Sequence, residues 1–327
     1  MRQGRYTLCD HTRVPDLVRQ LTQLSNLAFG DYEGAMEMSE QWTAWYLQRP
    51  GTDPGLCQAT LLGDAMVSNV LVAVQPLQIG GQVLTCGIID SVATHPEHRR
   101  RGLARALMER AHEALAERAG LDAAVLYTNP ADHPYRFYQR LGYQMRAQAS
   151  LLSGPRPQAP GRATCEIPPG EAGQPLFDLL NGFFAGHEGY CPMHAGLWHW
   201  HKCSRPASHP LTVVIEGSPD RPTATATFAE AETLIAGERR AVSVAYDVAP
   251  ERLTADALAG LLSAAPRQEV QMILDSDSSE YRLATEAGLE PKVGEVAMIL
   301  PFSEKAQEAA ATSGGPWCVM IESVIGV

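Results

Sequence analysis

The stretch from His95 to Ala104, HPEHRRRGLA, decides how the chain reads. Before it, Leu84–Ile89 (LTCGII) and then Asp90-Ser91-Val92-Ala93-Thr94 form a mainly apolar run, which predicts a buried strand. After it, Leu103, Ala106, Leu107, Ala111, Ala114 and Leu115 recur at helical spacing, with Gly120 as a C-terminal stop. The order is strand, arginine- and glycine-bearing loop, helix. A helix start offers backbone N–H groups with no intrahelical partner and the positive end of the dipole. Gly102 lets a ligand approach the backbone, Ala104 keeps the first turn small, and Arg99 to Arg101 add positive charge. These features together form an anion site suited to a pyrophosphate.

Arg99-x-x-Gly102-x-Ala104 in that setting resembles the coenzyme A-binding motif of the GNAT N-acetyltransferase superfamily. Downstream, Ala123–Thr128 reads as the next strand, followed by Asn129. Arg136-Phe137-Tyr138-Gln139-Arg140-Leu141-Gly142-Tyr143 then resembles the FYxxxGF segment of that family. The resemblance covers residues 5–150. It implies an α/β (α+β) acyl-CoA N-acyltransferase fold, with a mixed central sheet flanked by helices, and acetyl-CoA as acyl donor. Residue by residue, it implies that Val92, Ala93 and Thr94 offer backbone groups to the pantetheine arm. Arg99, Arg100, Arg101, Gly102, Leu103 and Ala104 would hold the pyrophosphate, and Asn129 would contact the cofactor arm. Tyr138 stands where the family places the acid that protonates the departing thiolate. Asp90 stands where family members reach the substrate amine. Asp31, Glu33 and Glu37 follow the first predicted helix, where acceptors enter. Because a thioester is already activated, the enzyme needs only to position a neutral amine, stabilise the oxyanion and protonate sulfur.

The latter half repeats the first. Trp42 and Trp198, Arg49-Pro50 and Arg205-Pro206, Gly81 and Gly237, and Val92-Ala93 and Val248-Ala249 share an offset of 156. Asn26 and Asn181 lie 155 apart, and Tyr135-Arg136 and Tyr281-Arg282 lie 146 apart. Collinear matches with drifting offsets are the mark of an internal duplication. Two domains are expected, a CoA-binding and catalytic one over 1–152 and a second copy over 160–327. The second copy reads Ala249-Pro-Glu-Arg-Leu-Thr-Ala-Asp256 in place of the arginine loop, and Ala284 answers to Tyr138. It is expected neither to bind CoA nor to catalyse. A tandem pair with only the first copy equipped resembles the enhanced intracellular survival-type acetyltransferases. Their C-terminal sterol-carrier-like domain has no counterpart before Val327, which puts in doubt the active-site role that family gives the terminal carboxylate.

Charge is unevenly placed. Residues 1–150 carry 14 arginines against 15 acidic residues, and the remainder carries 12 basic against 22 acidic residues. The acidic half disfavours nucleic acid and favours a cationic acceptor. No apolar run reaches the roughly 20 residues of a membrane span. The seven cysteines form no CxxC pair and the N-terminus lacks an apolar signal core, so a reduced, cytoplasmic protein is expected. In Gly196–Pro206, GLWHWHKCSRP, the His and Cys spacing fits no common zinc pattern. The segment reads instead as the counterpart of Glu40–Pro50, and no metal is expected. The leading reading is an N-acetyltransferase acting on a primary amine of a small molecule or peptide. Transfer of another acyl group, or a CoA-binding sensor without turnover, is the alternative.

Overall fold

Each half of the chain runs through the same series of elements. The computed structural model describes residues 6–30, 37–117, 121–131, 133–159, 164–207, 210–235, 238–312 and 314–319. The first half contains β1 (Tyr6–Asp10), α1 (Leu17–Phe29), α2 (Glu40–Tyr46), β2 (Gln58–Leu62), β3 (Ala65–Ile79), β4 (Gln82–Thr94), α3 (Leu103–Glu117), β5 (Ala123–Thr128), α4 (His133–Arg140) and β6 (Gln144–Pro155). The second contains β7 (Thr164–Ile167), α5 (Gln174–Phe183), α6 (Ala195–Trp198), β8 (Leu211–Ser218), β9 (Arg221–Ile235), β10 (Glu238–Ala249), α7 (Ala255–Leu262), β11 (Glu269–Asp275), α8 (Ser279–Glu286) and β12 (Glu290–Pro301). A last helix, α9 (Glu304–Thr312), was not expected from the sequence.

The strands form one mixed sheet in the order β1-β2-β3-β4-β5-β12-β6-β11-β10-β9-β8-β7. Replacing each strand of one half by its counterpart six places later turns this order into its own reverse. The sheet therefore has a pseudo-twofold axis between β12 and β6. The halves have also exchanged their last strands. Strand β12 pairs antiparallel with β5, Val296 facing Thr128, and β6 pairs antiparallel with β11, Asp275 facing Ala149. The sequence boundary at 152–160 begins within the last residues of β6, and the sheet does not divide there.

Local chemistry repeats as well. The Asn26 amide donates to the carbonyl of Met38 at 3.0 Å and accepts its N–H at 2.9 Å. Asn181 holds Met193 in the same way, at 3.0 and 2.7 Å. The next residues, Ser39 and His194, cap α2 and α6. The offset is thus still 155 through these helices, and Trp45 answers to Trp200. This corrects the pairing of Trp42 with Trp198. Helix α6 continues as one π turn over His199–Cys203. A π turn accommodates one extra residue, and it moves the offset to 156 before Arg205.

Trp45 and Trp200 meet at the pseudo-twofold. Their rings stack at 4.7 Å with planes 8° apart. Each indole N–H donates to the other's carbonyl oxygen, both at 2.9 Å. Arg49 lies over Trp200 at 5.8 Å and Arg205 over Trp45 at 5.5 Å, a reciprocal cation–π layer that Arg205 extends to Trp42 at 4.9 Å. Replacement of Trp200 by alanine removes the ring stack and the indole N–H bond to the carbonyl of Trp45. We expect it to cost about 3–5 kcal/mol, read as a lower urea midpoint for the whole chain.

Candidate functional site

The cleft of the first half is made by two strands that part. β4 and β5 run parallel and pair only over Cys86–Ile88 and Ala123–Val125, although β4 continues to Thr94 and β5 to Thr128. On its other side β4 carries a bulge, where Asn69 faces Ala93 but Leu71 faces Asp90. Ser91 takes a positive φ of 47° there. The bulge turns the end of β4 away from β5, so Val92 to Thr94 border an open gap. The second half keeps the device: Asp247 has φ 47° and the β9–β10 ladder shifts at Tyr246 and Ala249.

The arginine loop stands at the end of this gap. Arg100 and Gly102 take φ of 63° and 77°, and helix α3 begins at Leu103. A Cβ at Gly102 would meet nothing within 4 Å, so space lies open in front of the turn. The left-handed turn directs backbone N–H groups outward ahead of the helix start, a concavity that fits an anion. The three arginines divide the work. Arg99 turns back and donates to the carbonyls of Thr94 at 3.2 Å and Ala28 at 3.1 Å, tying the loop to α1. Arg101 donates to the Tyr6 hydroxyl at 2.9 Å and the Glu97 carbonyl at 3.2 Å. All three remain exposed. The sequence treated them alike, whereas the structure makes Arg99 partly a strut.

The remaining expected residues surround the gap. Asn129, just past β5, accepts the N–H of Ala131 at 2.9 Å and shapes the turn into α4. Tyr138 on α4 is 7% exposed, with Phe137 and Tyr143 at ring distances of 5.2 and 5.9 Å. Asp90 accepts the Ser91 N–H and the Tyr46 hydroxyl. A recess of about 10 Å³ between Tyr46, Leu71 and Asp90 adjoins it. Glu37 is exposed, while Asp31, Glu33, Gly120 and Val327 lie outside the described residues. So does most of the strand expected over Cys318–Val324.

The corresponding helix start of the second half is built differently. Thr254 caps α7 with its own hydroxyl, which accepts the Ala257 N–H at 3.3 Å, and Asp256 occupies the first turn. Helix α7 has 8 residues where α3 has 15. Yet the larger cavity, about 140 Å³, lies in this half beside β10 and β11. It is lined by Arg49, His187, Tyr246, Asp247, Glu280 and Trp317 among others. His187 Nε2 and Glu280 Oε1 lie 2.9 Å apart. Burial works against ionisation of Glu280, but the His187 hydrogen bond prevails and holds the carboxyl below its usual range. No sequence signal marked this cavity.

Among the described residues, the side chains of His187–Cys203 do not converge as metal ligands. The group that does converge is His95, Glu97 and His98, with ligand atoms within 4.8 Å. Two of those histidine nitrogens are engaged, His95 Nδ1 with the Glu97 N–H and His98 Nδ1 with the Tyr6 hydroxyl.

The family model of the GNAT acetyltransferase domain matches residues 14–146. This part of the chain is a GNAT acetyltransferase domain. GNAT domains take acetyl-CoA as donor, and the chain is an acyltransferase. A GCN5-related N-acetyltransferase from Anabaena variabilis superposes with TM-score 0.67 at 16% identity, over 91% of this chain and 73% of that one. A conserved protein of unknown function from Enterococcus faecalis, titled a probable N-acyltransferase, gives 0.66 at 16% identity, over 92% and 74%. Both likenesses run through the two halves and concern the fold. No curated protein sequence matches the chain. For the GNAT domain, the turn at Gly102 is a backbone requirement, since its surroundings are open. Gly102→Ala is expected to lower unfolding stability by about 1–2 kcal/mol through left-handed strain alone, measured by urea titration.

Proposed function

We propose that the chain is an acetyl-CoA-dependent N-acetyltransferase that modifies a primary amine within its first half. The observation that carries this reading is the gap between β4 and β5 running into the left-handed turn of Arg100 and Gly102 at the start of α3. Backbone groups of Val92, Ala93 and Thr94 line the gap where a pantetheine arm would pair. Arg99 to Ala104 receive the pyrophosphate, with Arg100 the arginine turned outward. Asn129 shapes the far wall.

The chemistry then asks little of the protein. The amine nitrogen attacks the thioester carbonyl, the C–N bond forms and the C–S bond breaks. Tyr138 supplies the proton to sulfur from a site enclosed by Phe137 and Tyr143, where water competes poorly. Asp90, beside Tyr46, borders the acceptor's approach from the inner face of the sheet. The acidic second half favours a cationic acceptor. The capped α7 and the acid in its first turn favour a single CoA site per chain. In this respect the chain is a tandem GNAT protein with one equipped copy, of the enhanced intracellular survival type in its arrangement.

Two measurements test the reading. Calorimetric titration with CoA should give one site per chain, and two sites would defeat the assignment of the second half. Transfer from acetyl-CoA to a panel of primary amines should fall by about 10²-fold or more in Tyr138→Phe. Unchanged turnover would remove Tyr138 from the mechanism. CoA binding with no transfer to any amine would favour the sensor reading.

A further inference from the structure

One acidic side chain at the cleft has no part in the chemistry above. Glu295 lies on β12, the strand that the second half lends to the first, immediately before Val296, which faces the last residue of β5. The ladder between β12 and β6 slips here, Val293 facing Ser150 and Val296 facing Gln148, so Gly294 and Glu295 form a bulge. A Cβ at Gly294 would stand 2.8 Å from the Ala149 carbonyl, so this close approach requires glycine.

The direction is set by strand alternation. Ile88, Val125 and Ala297 belong to one apolar cluster on the inner face of the sheet. Asp90 lies two residues beyond Ile88, Tyr127 two beyond Val125 and Glu295 two before Ala297. Ala297 faces Tyr127, which is level with Asp90, so Glu295 stands on the same face two residues farther along, diagonal to both and past the end of β5. Residue Glu295 is partly exposed as a whole, but its Oε2 is enclosed and has no hydrogen-bond partner among the described residues. A buried carboxyl oxygen without a donor is costly, and it is retained on the wall of the cleft.

Resting on the acetyltransferase reading, we propose that Glu295 is the general base of the first half's active site, supplied by the second half through the exchanged strand. The acceptor enters as R–NH3+ and gives one proton to the Glu295 carboxylate. The resulting R–NH2 forms the C–N bond as the C–S bond breaks, the thiolate takes the Tyr138 proton, and the second N–H proton restores Tyr138. Glu295 then releases its proton to solvent. The products are the N-acetylated amine, CoA thiol and one proton, so atoms and charge balance.

The electrostatics suit the task. Burial, and after it the charge of Asp90, push the Glu295 carboxyl up to about 8. Asp90 acts on it from β4, Tyr127 lies diagonal to it on β5, and Gln148 to Ser150 on β6 bring no charge. A base with that value is near the operating pH and close enough to an amine to exchange protons readily.

The test compares the pH dependence of kcat/KM, with a primary amine that the wild-type chain acetylates, in wild type, Glu295→Gln and Asp90→Asn. Wild type should show an acidic limb near pH 8. Glu295→Gln should lose that limb and fall about 10²-fold or more at pH 8, with CoA affinity kept. Asp90→Asn should move the limb to lower pH, because a like charge is gone. A stability measurement keeps the inference falsifiable independently of turnover. The folded-state value lies above the unfolded one, about 4.3, so the wild type loses stability as pH rises from about 4 to 8. Glu295→Gln removes that loss, and its urea midpoint relative to wild type should rise between pH 5 and pH 9. An unchanged pH profile in Glu295→Gln overturns the inference while acyl transfer stands. Absence of transfer by the wild-type chain to every amine overturns the acetyltransferase reading beneath it.

Discussion

Strand β12 satisfies two ladders that neither half can complete alone. Its backbone pairs with β5 of the first half on one edge and with β6 on the other, while β6 continues into β11 of the second half. Removing either strand would leave open edges in the middle of a twelve-stranded sheet, with unpaired N–H and C=O groups. Everything else in the architecture follows from this seam. The indole stack of Trp45 on Trp200 sits on the same pseudo-twofold.

The two halves differ most in the loop after their fourth strands. The first half carries the arginine loop, and the second is about ten residues shorter between its fourth and fifth strands, with a shorter helix there. The second copy nonetheless kept the bulge on β10, with Asp247 in the same left-handed conformation as Ser91. A bulge is part of how the strand is built, and it persists when the loop chemistry beyond it is gone.

The balance of legible and illegible features follows from range. R-x-x-G-x-A and the segment at Arg136–Tyr143 are local, and their strand–loop–helix setting could be read from apolar spacing alone. The duplication was legible because backbone requirements recur: Asn26 and Asn181 each hold a methionine backbone, and Arg49 and Arg205 each cover an indole. The exact register through GLWHWHKCSRP was not, because a π turn absorbs one residue without leaving a mark in composition. Arg99 as a strut to the Ala28 carbonyl was equally invisible, since that contact joins residues 71 apart.

By itself, then, the sequence determined the element series, the repeat, the single arginine loop and the absence of that loop from the second copy, since each depends on neighbours within a few turns. Only the tertiary structure decided which half completes which. Strand exchange depends on pairing between segments about 170 residues apart, and two strands of similar pattern can satisfy either edge. The same long-range pairing carries Glu295 into the first half's cleft. In the sequence it is one acid after a glycine in an apolar run, and nothing local distinguishes it.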